Sequence, residues 1–241
     1  MRLALILAVV VFVITLLVRL PARALGSLLP KNVACATPQG TVWSGWCEQL
    51  RVDDMSLASL SWRLHPLALL RLHLDADVSS DDPAAPGHAH LQVAPGGDLT
   101  LTGLSASAML PGRFGPLPAG ASGILVLAID SAQTHAGHLT ALEGSFELRR
   151  LHLASPAADL GSVELKFPPR TAGTALTGQL HDLSGPLSLV GTVTLTPDGG
   201  YELDSTLAAK DPADAQLAQA LQMLGPPDAT GRHSLSIAGT L

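Results

Sequence analysis

The sequence predicts a mainly β protein: one N-terminal transmembrane helix, then a curved, largely antiparallel β-sheet, with a short α-helix near the C-terminal end. Three observations predict it. Apolar and polar residues alternate with period two in many short runs punctuated by Gly, Pro and Asp, which gives strands with one dry and one wet face. An aliphatic-x-Gly-x-aliphatic unit recurs within those runs. An unbroken apolar stretch opens the chain.

That stretch, Leu3 to Val18, contains only Thr15 as a polar residue and is bounded by Arg2 and Arg19. Its 16 residues, rising 1.5 Å each, fall slightly short of a ~30 Å hydrocarbon core. Extension through Leu20, with Arg2 and Arg19 reaching toward the headgroups, closes the gap. Residues 1–24 are therefore read as a membrane anchor and 25–241 as one β-rich domain outside the cytoplasm. The competing reading is a cleaved signal peptide, since Ala22-Arg23-Ala24 has the small-x-small form of a cleavage site; the apolar run is longer than the usual h-region. Arg19, Arg23 and Lys31 follow the run while only Arg2 precedes it, so the positive-inside count favours the opposite orientation. The short tail before the run and the character of the body outweigh that count.

The only two cysteines, Cys35 and Cys47, are candidates for a disulfide in an oxidising compartment, stabilising by about 3 kcal/mol. Two buried free thiols are the alternative. No Cys-x-x-Cys or Cys/His spacing accompanies them, which disfavours a metal site.

Strands follow in order. Gly40-Thr41-Val42-Trp43-Ser44-Gly45 and Leu60-Ser61-Trp62-Arg63-Leu64-His65-Pro66-Leu67 read as strand segments ending at breakers. Alternation puts Trp43 on one face with Thr41, Gly45 and Cys47, and Trp62 with Leu60 and Leu64. Both indoles are read as core anchors, and Gly45 leaves room for an indole from a neighbouring strand. Further runs are Arg71–Val78, Leu99–Thr102, Ser162–Phe167 and Leu189–Thr196. The last leads through Pro197-Asp198-Gly199-Gly200 to Tyr201, a hairpin signal. Carboxylate pairs such as Asp53-Asp54 and Asp81-Asp82 sit in turn-forming sequence.

The glycine unit appears at Gly144, Gly178, Gly191 and Gly239, where a bulge or sharp coiling is expected to curl the sheet around an apolar inner face. Near the end, Asp211 as N-cap, Pro212 at N1, and Leu217, Ala220, Leu221 and Leu224 on one face before Gly225-Pro226 predict an amphipathic helix.

Composition excludes several functions. With lysine only at positions 31, 166 and 210 and scattered arginines, no basic stripe exists for nucleic acid to follow. No nucleophile elbow, phosphate-cradling glycine loop or His-Glu-x-x-His is present, so no catalytic, cofactor or metal residue is assigned. His88 and His90 share a strand face and His135 and His138 flank a turn; with no acidic partner at ligand spacing they are read as solvated.

Taken in order, Gly40, Thr41, Trp43 and Gly45, then Trp62 to Pro66 leading into Leu69-Leu70, then Leu224-Gly225-Pro226-Pro227-Asp228 and Gly239-Thr240-Leu241 resemble the type II secretion system protein N (general secretion pathway protein N) family from end to end. The segments 81–87 and 111–120 match no pattern of that family. The resemblance implies a non-catalytic accessory component for export of folded proteins across the outer membrane. It also implies an inner-membrane anchor, a periplasmic domain, and the inner-membrane platform subunits and outer-membrane secretin as partners. The β-rich part is also similar to the AsmA-like group, whose curved sheets form an apolar groove or half-barrel. That likeness implies the alternative function, lipid handling, and lipid as a further partner.

Overall fold

In the computed structural model the described residues are 19–27, 33–52, 55–110, 120–155, 157–169, 175–196, 199–212 and 214–240. The apolar run 3–18, Lys31, Asp53-Asp54, 111–119 and Pro197-Asp198 lie outside them. The chain divides into two compact units, 1–95 and 96–241. Among the described residues no helix is long and apolar enough to cross a membrane.

Among the described residues the first unit is a meander of five strands: β1 (Val33–Gly40), β2 (Ser44–Val52), β3 (Met55–Leu64), β4 (Leu74–Ser80) and β5 (Gly87–Val93). Each pairs antiparallel with the next. Pro38 lies in β1, whose described partner within this unit is β2 alone, so its missing N–H costs no ladder bond on the open side. At the end of β1, Gly40 takes φ +89°, and Thr41 N–H donates to Ser44 O over 2.9 Å to reverse the chain. Trp43 thus sits in the β1–β2 connection rather than in a strand, so strand alternation does not set its face.

Between β3 and β4 the chain makes a 3-10 helix, Pro66–Arg71, where alternation alone predicted a strand beginning at Arg71. Proline explains the difference. Its ring holds His65 extended and sets φ for a tight first turn. Leu72 then closes the helix in the left-handed region, φ +59°, its N–H bonded to the preceding turn, and the strand begins only at Leu74. At the far end of β4, Asp82 accepts the Ala84 N–H over 2.9 Å, the turn-forming role expected of it.

Among the described residues the second unit is a meander of eight strands: β6 (Leu99–Met109), β7 (Ser122–His135), β8 (His138–Ala154), β9 (Ala157–Phe167), β10 (Leu176–Ser184), β11 (Leu187–Leu195), β12 (Gly200–Ala209) and β13 (His233–Thr240), with α1 (Ala215–Gln222) between the last two. All neighbours are antiparallel. The two residues joining β7 to β8, Ala136 and Gly137, both have positive φ, as a two-residue hairpin turn matched to strand twist requires. The predicted β11–β12 hairpin is present, with Gly199 at φ +85° and its N–H bonded to Thr196 O.

Register brings the apolar positions of successive strands opposite one another: Phe146 faces Leu165, Leu148 faces Val163, Leu176 faces Leu195, and Leu189 faces Leu207. One face of the unit is consequently apolar across neighbouring strands. Ile129, Leu142, Phe167 and Leu176 form one buried cluster on it, with Phe146 meeting Phe167 edge to face at 6.0 Å between centroids. A second cluster joins Val163, Leu187, Leu189 and Leu207 to Leu217 and Leu221 of α1. The helix lies on the apolar face with Leu217 only 1% exposed, which stabilises by about 1.5–3 kcal/mol. Its N-cap is Asp214, which accepts the Leu217 N–H over 3.0 Å, and not Asp211 as the sequence led one to expect. Asp211 instead accepts the Asp214 N–H at its backbone carbonyl, in a turn that precedes the helix.

Of the four recurring glycines one marks the expected bulge and three do not. Only Gly144, at φ +144°, sits where β7 and β8 slip register. Gly178, Gly191 and Gly239 pair in register, and their lack of a side chain gives room to a neighbour. A Cβ on Gly178 would lie 2.8 Å from Phe167, one on Gly191 2.6 Å from Ser205 Cβ, and one on Gly239 2.8 Å from the Tyr201 hydroxyl.

Candidate functional site

Of the residues singled out in the sequence, Gly40, Thr41, Trp43, Gly45, Trp62 and Pro66 lie at one end of the first unit. Gly45 and Trp62 are register partners on β2 and β3, and a Cβ on Gly45 would lie 2.6 Å from Trp62 Cζ2. The Trp62 indole N–H donates to Val42 O over 3.1 Å, tying β3 to the β1–β2 turn. Thr41 buttresses that turn, its hydroxyl accepting the Ser44 N–H over 3.2 Å. Trp43 and Trp62 are both half-buried, while Trp46 is exposed. Cys35 and Cys47 are joined by a disulfide between β1 and β2, with Cα atoms 5.9 Å apart. Pro66 begins the 3-10 helix just described, and Gly239 lies on β13 of the second unit, beneath Tyr201.

The structure adds a polar cluster to that end of the first unit. His65 Nε2 and His90 Nδ1 each stand 2.8 Å from an Asp77 carboxylate oxygen, and His90 Nε2 lies 3.1 Å from Asp75 Oδ1. Hydrogen bonds from His90, then His65, hold the Asp77 carboxyl below its ordinary value. The expectation that the histidines lack acidic partners is corrected by these contacts. His135 pairs with Asp98, His152 with Asp159 and His181 with Glu164. Each partner comes from another strand or the preceding connection, so register creates pairs that linear spacing conceals. His88 and His138 join no such pair among the described residues. Among the described residues no group of three or more His, Cys, Asp or Glu side chains is arranged to hold a metal ion.

Beside the cluster, a groove of ≈ 610 Å³ is lined by His65, Leu67, Leu70, Arg71, Asp75 and Gln92 among others. Leu67 and Leu70 of the 3-10 helix line it and are largely exposed. In the sequence Leu69-Leu70 stands out only as part of a family pattern. The signal that could have found the groove is the density of leucine from Leu64 to Leu74 around Pro66, which interrupts the strand pattern on either side.

In the second unit, β13 pairs with β12 and with no other described strand of that unit. Its outer backbone groups are therefore open to pairing. Asp182, at the end of β10, accepts the Leu189 N–H over 2.8 Å and meets Lys210 Nζ at 2.7 Å. Burial pushes its carboxyl up, but these two partners outweigh burial and leave it below the ordinary value. This constellation braces strand ends.

The model of the type II secretion system protein N family matches residues 31–236. Proteins named type II secretion system protein N are similar over nearly their whole length. The one from Vibrio cholerae serotype O1 is 29% identical over 96% of this chain and 95% of its own. Those from Aeromonas hydrophila, 28% identical over 94% and 93%, and Klebsiella pneumoniae, 30% identical over 92% and 89%, are comparable. No solved structure matches the chain. The order of motifs around Gly40 to Gly45 and Trp62 to Pro66 and the match over residues 31–236 agree: the chain belongs to the type II secretion system protein N family.

Proposed function

We propose that this protein is a non-catalytic accessory component of a type II secretion system, held in the inner membrane by residues 1–24 with the bulk of the chain in the periplasm. In this role it contacts the inner-membrane platform subunits and the outer-membrane secretin and supports export of folded proteins. The observation that carries the reading is the family match over residues 31–236. One structural feature supports it: β13 offers a strand edge of the kind used for backbone pairing with a partner.

Deletion of the gene in its own host tests this directly. Export of folded substrates should fall and should return on complementation with the full chain. Unchanged export, with the secretin and platform assembled normally, would reject an accessory role.

A second reading, lipid handling in an apolar groove of the AsmA-like kind, is favoured by one observation: the apolar face that runs across neighbouring strands of the second unit. Protein extracted gently and found free of lipid by mass spectrometry would count against it.

A further inference from the structure

We propose that the 3-10 helix Pro66–Arg71, with Leu72, is a membrane-docking tip that rests on the surface of an anionic phospholipid bilayer. Leu67, Leu70 and Leu72 are 77%, 83% and 74% exposed, far more than isolated surface leucines need to be, and they lie within six residues of one another. Such a cluster needs an apolar partner.

The register of the first unit identifies that partner. The Val42 N–H donates to Leu20 O over 2.9 Å, and Pro21 bridges Thr41, so the chain leaving the apolar run is fastened to the β1–β2 turn. The Leu64 N–H in turn donates to Trp43 O over 2.7 Å, which places the start of the leucine-rich connection at the same end of the sheet. Only Arg19 separates Leu20 from Val18. At a maximum of ~3.6 Å per residue, the fastened end stands within about 7 Å of the end of the apolar run. If that run lies in a bilayer, this end of the unit lies at its surface.

Charge agrees. Arg19 and Arg23 beside the fastening point, Arg63 on β3 and Arg71 in the 3-10 helix are all exposed. Arginines around a group of outward leucines are the arrangement that an interfacial segment presents to anionic headgroups and the acyl boundary beneath them. The His65, Asp77 and His90 cluster is placed where it braces the base of the tip, since His65 immediately precedes Pro66 and its backbone N–H is bonded to Asp75 O over 2.8 Å. The inference rests on reading Leu3 to Val18 as an anchor, but its test separates the two.

Both described cysteines are in the disulfide, so an introduced cysteine is the only free thiol among the described residues. The full chain, reconstituted in vesicles of phosphatidylethanolamine and phosphatidylglycerol, is labelled with a fluorophore at Leu70→Cys, or at Ala84→Cys in the β4–β5 turn at the opposite end of the unit. Quenching by a lipid carrying a nitroxide near its headgroup is then compared. The expected result is quenching several-fold stronger at position 70 than at 84, lost when Leu67 is also changed to Asp. Equal, weak quenching at both positions overturns the inference, whether or not the chain stays with the vesicles. An unquenched position 70 that crosslinks to an envelope protein in cells overturns it as well. Alkaline carbonate extraction of the same samples, carried out after the fluorescence reading, judges the anchor separately: a chain whose position 70 is quenched on the vesicles and which carbonate then strips from them supports the docking tip and rejects the anchor.

Discussion

Trp62 on β3 lies across Gly45 on β2, its register partner, so closely that a Cβ on the glycine would come within 2.6 Å of Cζ2 of the ring and collide with the Gln39 carbonyl on the other side. Gly45→Val should therefore destabilise the first unit by about 1–3 kcal/mol, the usual cost of overpacking. Denaturant unfolding monitored by tryptophan fluorescence measures it. Trp62→Ala should relieve only part of that loss when combined with Gly45→Val, because the Gln39 contact remains.

The Cys35–Cys47 bond ties the edge strand β1 to β2 across twelve positions of sequence. On chain-entropy grounds, breaking it should cost about 3 kcal/mol. Melting with and without reductant, compared with a Cys35→Ser/Cys47→Ser variant, checks this. Identical melting in all three would show that the bond contributes nothing to stability.

At the start of α1, Asp214→Ala removes the acceptor for the Leu217 N–H and should cost about 1 kcal/mol, whereas Asp214→Asn should be nearly neutral. Leu217→Ala, emptying a fully buried site against Leu187 and Leu189, should cost about 2–5 kcal/mol. Urea titration of the three variants ranks them, and an order with Asp214→Asn worst would contradict the cap assignment.

The Asp182 carboxyl is lowered in the folded chain, so it binds protons less readily there than in the unfolded chain, where an aspartate titrates near 3.8. Its stabilising contribution is complete above that ordinary value and is lost as pH falls through the depressed folded value. Asp77 acts in the same direction, but its exposure makes its share small. Asp182→Asn should flatten the acid limb of a plot of melting temperature against pH. Asp182→Ala should lower stability at neutral pH by about 1–3 kcal/mol, leaving the Leu189 N–H without its acceptor.

What the sequence made legible were features written in short spacing. Period-two runs located strands from Leu99 and from Ser162, Gly199 marked a hairpin, and Gly45 signalled room for a neighbour's indole. What it concealed depended on register or on a choice between equivalent local signals. Asp211 and Asp214 both resemble helix caps, and only the packing of Leu217 and Leu221 against the sheet decides between them. His90 meets Asp75 and Asp77 because β5 pairs with β4 in one register, and a slip of one residue would separate them. The glycine unit reads locally as a bulge signal, yet at Gly178 and Gly239 the missing Cβ admits an aromatic ring from the next strand, a use that needs the identity of the partner across the ladder.

The assembly role is tested most directly by placing photocrosslinking residues at exposed positions of the full-length protein in living cells, including the outer side of β13 at Ser234 and Ser236, and identifying every captured species by mass spectrometry. The proposed role predicts capture of secretin or inner-membrane platform subunits from a restricted set of positions. Capture of lipid alone, with no secretion subunit from any position, would contradict it and move the lipid-handling reading to first place.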